Sequence, residues 1–404
     1  MITVSGLPLL LDCEDSAWFR DQLEAARGAA AALGRRIGLG DHRTAQLVLA
    51  VAELATNVTK YSADGSMLLR VLRNAAVAGV EVVVVDGGPG MADVAAALRD
   101  GTSTVGTLGI GLGAVQRLAD RFDIHSVPGV GTVQLARFWP HPLHPSVTGE
   151  AVVGGITRPM GGEEVCGDAW ATRTDNHLPT APATDARAGR ASESGATFDW
   201  SALTATRPVA VPSRVTGSRL DRTGRPKAEL VRDAAAEAGN GVLVMSCDGL
   251  GHGPMAALAS QAAVKAFRTG TGGTPAQVME EVHRALRGTR GAAVAIARLE
   301  PGGRVLFCGI GNIAAALVSS ESRSNLLSHP GIVGHQMRQL RTYEQRLPPG
   351  GVLVMHSDGL NERWKPSDLA SLLQHPPALI AAGLLRQAGT RRDDASVVVA
   401  KGAW

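Results

Sequence analysis

The chain has 404 residues, too many for one ordinary domain, so two domains are expected. Its net charge of +3 gives no argument for nucleic acid or a membrane surface as a partner, and no apolar run is long enough to span a bilayer. The N-terminus lacks the basic and apolar regions of a signal peptide. Four scattered cysteines, without metal or disulfide spacing, suit a reducing cytoplasm.

The first 139 residues alternate helical and strand-like patterns. Helices are predicted where apolar residues recur at helical spacing, and strands where they alternate or run together. The predicted order is a strand (2–11), two helices (15–33, 41–61), two strands (67–73, 80–85), two helices (91–100, 114–120) and two strands (124–126, 132–138). This order predicts an α/β sandwich with one mixed sheet.

Three prolines within residues 139–145, WPHPLHP, cannot continue a helix or a central strand. We therefore predict a domain of residues 1–139, a proline-rich linker of residues 140–151 and a second domain of residues 152–404. Residues 172–227 of the second domain shift to Thr, Ala, Ser, Arg, Asp and Pro without clear periodicity, which predicts a flexible insertion.

Two nearly identical stretches dominate the second domain: GVLVMSCDGL (241–250) and GVLVMHSDGL (351–360). An apolar, partly β-branched run of this kind fits a strand buried on both faces. Each run ends in Asp-Gly, so two strands are expected to bring two carboxylates to one rim. Further strands at meander spacing and a few helices predict a β-sandwich flanked by helices, an αββα arrangement.

Several polar residues of the first domain are candidates for a nucleotide site. Glu53 and Asn57 stand four residues apart and share one helix face. An Asn amide oxygen can bind Mg²⁺, and a Glu one turn away can take a proton from an attacking hydroxyl. Asp86 follows a strand and is itself followed by Gly88 and Gly90.

A glycine-rich loop precedes the next helix, and Thr132 follows a glycine before the last strand. Glycines at a helix N-terminus expose backbone N–H groups that bind phosphate. The run 109–113 alone would suggest a dinucleotide fingerprint, but that motif follows its strand tightly, whereas this run follows a long loop. The loop glycines are Gly106, Gly109, Gly111 and Gly113.

Together, ELATNVTKYS, DGGPGM and TLGIGLGAVQRLAD resemble the three ATP boxes of the Bergerat or GHKL fold. Residues 100–132 resemble more closely the small anti-sigma and stressosome serine kinases (the RsbT-like type), which phosphorylate STAS-domain partners. The resemblance covers about residues 1–139 and implies ATP with Mg²⁺. It implies that Asn57 ligates Mg²⁺, that Glu53 acts as base or positions the acceptor, and that Asp86 accepts from the adenine amino group. By the same resemblance the loop 106–113 wraps the phosphates and Thr132 contacts the nucleotide near Asp86, with Gly88 and Gly90 beside it.

Five acidic residues of the second domain lie at predicted strand ends or turns, and we interpret them as a carboxylate cluster without His or Cys ligands. They are Asp168, Asp248, Asp358, Asp393 and Asp394. A cluster of carboxylates selects Mg²⁺ or Mn²⁺. Two such ions bridged by a carboxylate can activate water at a phosphoryl group.

The motifs CGDAW, CDGLGHG, HSDGL and RDDAS resemble, in this order, the metal motifs of the PPM-type phosphatases, in the SpoIIE-like sporulation branch. The resemblance covers about residues 152–401. It implies two Mn²⁺ or Mg²⁺ ions bridged by Asp168 and Asp248, with the Gly249 carbonyl as a further ligand. Asp358 and Asp393 would bind one metal, and Asp394 takes the place often held by Asn.

Two departures from that family bear on substrate binding. The insertion between Asp168 and Asp248 is longer than usual, and no obvious arginine for a substrate phosphate stands near Asp168, although Arg158 and Arg173 are candidates. His252 is expected to pack the glycine-rich turn rather than to act as ligand or acid.

The combined prediction is a bifunctional regulatory switch: an ATP-dependent Ser/Thr kinase fused to a metal-dependent phosphoserine/phosphothreonine phosphatase, both acting on STAS-domain partners. A sigma factor and a homodimer are further candidate partners, whereas nucleic acid and membrane are not expected. Two alternatives stay open. The first half is either a non-catalytic module that binds a sigma factor or STAS protein, or an ATP sensor for the attached phosphatase.

Overall fold

The computed structural model describes residues 8–99, 111–175, 229–231, 241–337 and 340–402. Within these ranges no helix combines the length and the apolar character that crossing a bilayer requires.

The N-terminal half forms one five-stranded sheet with helices on one face. Its strands lie in the order β1-β2-β3-β5-β4, and every pairing is antiparallel, so the predicted mixed sheet is corrected in this detail. The elements are β1 (Asp12–Phe19), α1 (Ala25–Arg36), α2 (Asp41–Tyr61), β2 (Ser66–Arg73), β3 (Ala78–Asp86), α3 (Val94–Leu98), α4 (Gly111–Leu118), β4 (Arg121–Val127) and β5 (Gly131–Phe138).

The start of the chain differs from the prediction of a strand over 2–11 and a helix over 15–33. Residues 2–7 of the predicted strand lie outside the described residues. Within the described chain the first strand is β1, and α1 begins only at Ala25. Trp18 lies opposite Leu68 of β2, and its indole N–H donates to the Thr157 carbonyl at 2.8 Å. Helix-like periodicity was misleading here because pairing with β2 and contact with the C-terminal half decide the conformation.

Helix α2 packs its apolar stripe on the sheet. Leu47, Val51, Leu54 and Val58 are buried in one cluster with the β3 residues that face them. The same cluster takes in α1 and the buried side of α4. The opposite face of α2 is thereby left to carry polar side chains.

The C-terminal half is a two-sheet sandwich with helices outside, which confirms the predicted αββα class. Its strand orders are β7-β9-β10-β11-β15-β8, with β14 beside β11, and β13-β12-β16-β17-β6. The strands are β6 (Val153–Arg158), β7 (Asp168–Thr174), β8 (Glu229–Val231), β9 (Val242–Gly249), β10 (Ala292–Leu299), β11 (Arg304–Ile310), β12 (Ala314–Val318), β13 (Arg323–Leu326), β14 (Ser328–His329), β15 (Thr342–Arg346), β16 (Val352–His356) and β17 (Ala395–Lys401). The helices are α5 (Pro254–Thr269), α6 (Pro275–Ala285), α7 (Pro366–Leu369) and α8 (Pro377–Ala388).

Three apolar clusters hold the sandwich together. One fills the space between the two sheets, and a second joins α5 and α6 to the outer face of the first sheet. The third places α8 against the outer face of the second sheet, where it also contacts residues of the N-terminal sheet such as Val83, Val85 and Leu135. Helix α8 is therefore shared by the two halves.

Two boundaries differ from those predicted by the sequence. Strand β7 continues through Thr174, into the stretch assigned to the insertion 172–227, and residues 176–228 lie outside the described part. The helix predicted over 366–374 is α7, which ends at Leu369.

Candidate functional sites

Helix α2 and the end of β3 carry the predicted nucleotide residues. Glu53 and Asn57 are half-buried on α2, one turn apart. The last residue of that helix, Tyr61, lies against Gly88, since a Cβ on Gly88 would stand 2.7 Å from the Tyr61 carbonyl oxygen. The helix face that carries Asn57 therefore ends beside the turn that follows β3.

Asp86 closes β3 and is tied to its surroundings by the backbone. Its carboxylate accepts from the Gly88 N–H at 2.9 Å, and it lies opposite Thr132 of β5. The Thr132 hydroxyl is 2.9 Å from that of Ser126. Burial raises the pKa of Asp86, while the Gly88 and Thr132 backbone groups and Arg386 act to lower it.

Close backbone approaches explain two glycines around Asp86. Gly90 has φ +66°, and a Cβ there would stand 2.1 Å from the Val127 carbonyl oxygen. Gly131 has φ +126°, and a Cβ there would stand 2.1 Å from the Asp86 carbonyl oxygen. The β4–β5 turn is thus pressed against the end of β3, which requires glycine at both positions.

The predicted phosphate loop is described only in part. Gly111 begins α4, and Gly113 is buried within it. Gly106 and Gly109 lie outside the described residues.

The acidic residues of the C-terminal half converge. Strands β7 and β9 are antiparallel, and Asp168 lies directly opposite Asp248. Gly249 ends β9, and a Cβ there would stand 2.2 Å from the Ala256 carbonyl oxygen at the start of α5. Asp168 begins its strand instead of following one. Like charges directly opposite each other destabilise a strand pair, so this pairing favours a bound cation.

The second sheet brings two more carboxylates to the same rim. Asp358 follows β16, is exposed, and accepts from the Asn312 amide at 2.6 Å. Asp393 precedes β17 and accepts from the Asp394 N–H at 2.9 Å. The end of β16 is joined to the start of β17 because the Ser396 N–H donates to the Ser357 hydroxyl at 2.9 Å.

The carboxylate of Asp394 joins two segments of backbone by hydrogen bonds, and we call this link the Asp394 clamp. Its two carboxylate oxygens each accept a backbone N–H, from Met160 and from Gly167, both at 2.8 Å. Gly167 directly precedes Asp168. The carboxylate of Asp394 therefore fixes the loop that carries Asp168 to the second sheet.

We call these four carboxylates the acidic rim: Asp168, Asp248, Asp358 and Asp393. Their surroundings fit divalent cations. Asp168 is 4% exposed, and neither carboxylate oxygen has a hydrogen-bond partner of good geometry within the described ranges. Burial raises the pKa of Asp168, although the Ser357 and Ser396 hydroxyls act to lower it. Burial, and then the charges of Asp168, Asp358 and Asp393, raise the pKa of Asp248.

Oxygen donors of this kind suit Mg²⁺ or Mn²⁺. Within the described part of the chain, no group of three His, Cys, Asp or Glu side chains lies close enough together to hold a metal ion.

The two candidate arginines lie in different surroundings. Arg173 donates to the Gly272 carbonyl at 2.6 Å and stacks on Phe267, so it supports α5. Arg158 ends β6 and lies near Arg20, Arg391 and Cys166, and burial, followed by the two arginine charges, lowers its pKa to about 10. Arg158 is therefore the better candidate for an anion near Asp168.

His252 does not pack the turn as expected. Its side chain is 55% exposed, and its Nδ1 lies 3.0 Å from a Glu163 carboxylate oxygen. Sequence reasoning also missed Asn312, whose only signal is its place directly after the Gly that follows β11. Nothing in the pattern of residues indicated that it would reach Asp358.

Comparison with known families agrees with this geometry. Residues 19–137 match the histidine kinase-like ATPase domain, and residues 238–402 match Stage II sporulation protein E (SpoIIE). The serine/threonine-protein kinase RsbT of Bacillus subtilis (strain 168) is 35% identical over 115 residues, which cover 28% of this chain and 86% of that protein.

Solved structures are similar over larger parts of the chain. One from a study of the bacterial stressosome as a modular system has 25% identity, covers 62% of this chain and 98% of the other, and has a TM-score of 0.42. RsbX in complex with magnesium has 16% identity over 61% and 92% of the two chains, with a TM-score of 0.41. The SpoIIE phosphatase domain of Bacillus subtilis, with a fragment of its regulatory domain, has 11% identity over 94% of each chain and a TM-score of 0.37.

The family assignment rests on the sequence matches. The segment 19–137 contains the three motifs of the N-terminal half. The segment 238–402 contains CDGLGHG, HSDGL and RDDAS, whereas CGDAW (166–170) precedes it. The protein belongs to the RsbT-like serine/threonine kinase family through its N-terminal half, which is fused to a SpoIIE/RsbX-like phosphatase domain.

Proposed function

We propose that this chain is a bifunctional switch that adds phosphate to, and removes it from, a Ser or Thr of a STAS-domain partner. The observation that carries the phosphatase part is the acidic rim, with its buried and unpartnered Asp168 opposite Asp248. The kinase part is supported by the likeness to RsbT and by Glu53 and Asn57 on one face of α2.

In the proposed kinase reaction, ATP is the phosphate donor. Asn57 binds the Mg²⁺ that accompanies ATP, and Asp86 accepts from the adenine amino group. The partner's hydroxyl oxygen forms a bond to the γ-phosphorus, the bond from that phosphorus to the ADP oxygen breaks, and Glu53 takes the hydroxyl proton.

In the proposed phosphatase reaction, water adds to the phosphorus of the phosphoserine or phosphothreonine, and the bond to the side-chain oxygen breaks. Asp168, Asp248, Asp358, Asp393 and the Gly249 carbonyl would hold two Mn²⁺ or Mg²⁺ ions, which activate water and neutralise the phosphoryl charge. Asp394 keeps the Asp168 loop in place through the Gly167 N–H. Arg158 is the candidate that binds the substrate phosphate.

A STAS-domain partner is proposed because RsbT-like kinases act on such proteins by the family resemblance, and a sigma factor is a second candidate. Fusing two opposing activities raises the effective concentration of both at one partner. The domain limits proposed from the sequence, 1–139 and 152–404, assign one activity to each half. The proposed start of the second domain is supported by β6, the first strand of the C-terminal half along the described chain, which begins at Val153.

Two substitutions test the kinase assignment. In an Asp248→Ala background, which prevents removal of phosphate, Glu53→Gln and Asn57→Ala are expected to abolish phosphate transfer from Mg-ATP to a STAS-domain protein. Thr56→Ala is the matched control, because Thr56 is exposed on the same helix. Transfer that persists in Glu53→Gln and Asn57→Ala would refute the assignment.

One alternative is a nucleotide-sensing module without transfer activity. It predicts that Mg-ATP changes the phosphatase rate while the STAS protein gains no phosphate, and that Asn57→Ala removes only this regulation. Measuring both quantities in one reaction separates the alternatives.

A further inference from the structure

Helix α8 of the phosphatase half reaches the nucleotide site. It is buried along most of its length between the N-terminal sheet and the strands β6 and β17. Arg386 lies in its last turn and is half-buried. Cationic side chains in the last turn of a helix are favoured by the helix dipole.

Arg386 contacts the turn that lies against Asp86. Its guanidinium donates to the Val130 carbonyl in the β4–β5 turn. The next residue, Gly131, is the one whose backbone is pressed against the Asp86 carbonyl oxygen. The arginine therefore fastens the turn that covers the end of β3.

The charge of Arg386 also acts on that site. Burial and the nearby Asp64 raise the pKa of Asp86, and Arg386 opposes them. Burial lowers the pKa of Arg386 itself, against the charges of Asp86 and Asp64. Its Nε is buried and has no hydrogen-bond partner within the described ranges.

The end of α8 is held in place on its other side. The Ala388 carbonyl accepts from the Asn361 backbone N–H at 2.9 Å and from the Asn361 amide at 3.1 Å. The Thr390 N–H donates to the Gly359 carbonyl at 2.7 Å. The end of α8 that carries Arg386 is thus fixed by hydrogen bonds to the segment after β16, and the Arg386 side chain itself is half-buried.

We propose that Arg386 is a positioning residue of the nucleotide site: it holds the β4–β5 turn over Asp86 and keeps the Asp86 carboxylate in the form that accepts from adenine. This inference rests on the proposed binding of ATP beside Asp86. It adds that the site is completed by the other half of the chain, so that full affinity for ATP requires α8 to be docked.

The test is ATP binding to the full chain by titration calorimetry, for wild type, Arg386→Met, Arg386→Lys and the control Gln387→Ala, whose side chain is exposed next to Arg386. Arg386→Met keeps an apolar stem of similar length but removes the charge. We expect it to weaken ATP binding about tenfold at neutral pH. Arg386→Lys is expected to recover part of the affinity, and Gln387→Ala to match wild type.

The dependence on pH separates positioning from a merely structural role. Without Arg386, the carboxylate of Asp86 takes up a proton at a higher pH, so ATP affinity is expected to fall off at a higher pH on acidification than in wild type. The charged side chains that act on the pKa of Asp86 are Arg386 and Asp64, and Asp64 is unchanged in all variants.

Unchanged affinity in Arg386→Met, or weaker binding with the wild-type pH profile, would overturn this inference while leaving ATP binding intact. Wild-type protein that binds no ATP would overturn both the inference and the proposed kinase function.

Discussion

Asp86 is the last residue of a buried strand in the N-terminal half and Asp168 is the first residue of a buried strand in the phosphatase half, and their surroundings are opposite. Asp86 accepts from the Gly88 backbone N–H and lies near the cationic Arg386. Asp168 has unpartnered oxygens and acidic neighbours. The carboxylate at the end of β3 is therefore compensated by groups of the protein itself, whereas Asp168 lies opposite another carboxylate, and we propose that cations compensate the acidic rim.

A third carboxylate, that of Glu81, has its charge balanced entirely by cationic side chains of the protein. Glu81 is fully buried, and its oxygens accept from Arg70 at 2.6 Å and from Arg137 at 2.7 Å. Burial by itself raises the pKa of Glu81, but the two arginines outweigh it and the pKa is lowered. Arg70 also donates to the Gly155 carbonyl at 2.6 Å, so this group joins the two halves.

The largest expected effect comes from breaking the acidic rim. Asp248→Ala should reduce Mn²⁺-dependent hydrolysis of p-nitrophenyl phosphate by about a thousandfold, or about 4 kcal/mol of transition-state stabilisation, because the variant removes a carboxylate that we propose as a metal ligand. Steady-state rates across Mn²⁺ concentrations measure this. Glu164→Ala, an exposed acid in the loop before Asp168, should behave as wild type. Hydrolysis that persists in Asp248→Ala would refute the metal assignment.

Removing the charge of Glu81, which pairs with Arg70 and Arg137, should lower the stability of the fold instead of the phosphatase rate. Glu81→Gln removes the carboxylate that pairs with the buried Arg70 and leaves Arg137 paired only with the more exposed Glu150. It should cost about 3 kcal/mol of unfolding free energy, measured by urea denaturation. Because the folded-state pKa of Glu81 is lowered, its stabilisation is present above the ordinary carboxyl pKa of about 4 and is lost as pH falls through the folded value. The variant should therefore lose less stability on acidification.

The control for this prediction is Glu344→Gln, which removes a partly exposed pair with Arg304. It should cost about 1 kcal/mol or less. Equal costs for the two variants would contradict the role given to the buried group.

A smaller effect is expected on the unfolding free energy when a metal ion binds to the acidic rim. Mn²⁺ at about a hundred times its dissociation constant should raise the unfolding free energy of wild type by about 2.7 kcal/mol. Asp168→Asn should remove most of this gain. Without metal, the same variant should be more stable than wild type by about 1 kcal/mol, because one repelling charge is gone. A metal-free variant that is less stable than wild type would show that the carboxylates do not repel.

The smallest effect is expected at His252. His252→Ala should change the phosphatase rate by less than about twofold, because the side chain is exposed and its partner is Glu163 rather than the acidic rim. A large loss of rate with an unchanged melting temperature would instead assign it a chemical role.

The local patterns of the sequence predict much of this molecule. Two Asp-Gly strands, the Glu53–Asn57 spacing and the acidic turns are local features, and the strands β9 and β16 lie where the apolar runs predict them. Features that depend on contacts between residues distant in the sequence could not be predicted from these local patterns. Trp18 belongs to a strand because it contacts β2 and Thr157. Nothing near Arg386 in the sequence indicates that it contacts the β4–β5 turn or that its charge acts on Asp86.

The clamp formed by Asp394 illustrates the same limit within the acidic rim. Its position in RDDAS suggests one more metal ligand, but both of its oxygens are taken by backbone N–H groups of Met160 and Gly167. Only the folded arrangement of β6, β7 and β17 separates this clamp from the adjacent Asp393.

The central claim is that one chain both adds and removes phosphate on one partner. The most direct measurement is the intact mass of a STAS-domain protein incubated with Mg-ATP and either the Asp248→Ala chain or wild type with Mn²⁺. The account predicts that phosphorylated partner accumulates with Asp248→Ala and that wild type with Mn²⁺ returns it to the unmodified mass. A partner that gains no phosphate with Asp248→Ala, or that keeps it in the presence of wild type and Mn²⁺, would contradict the account.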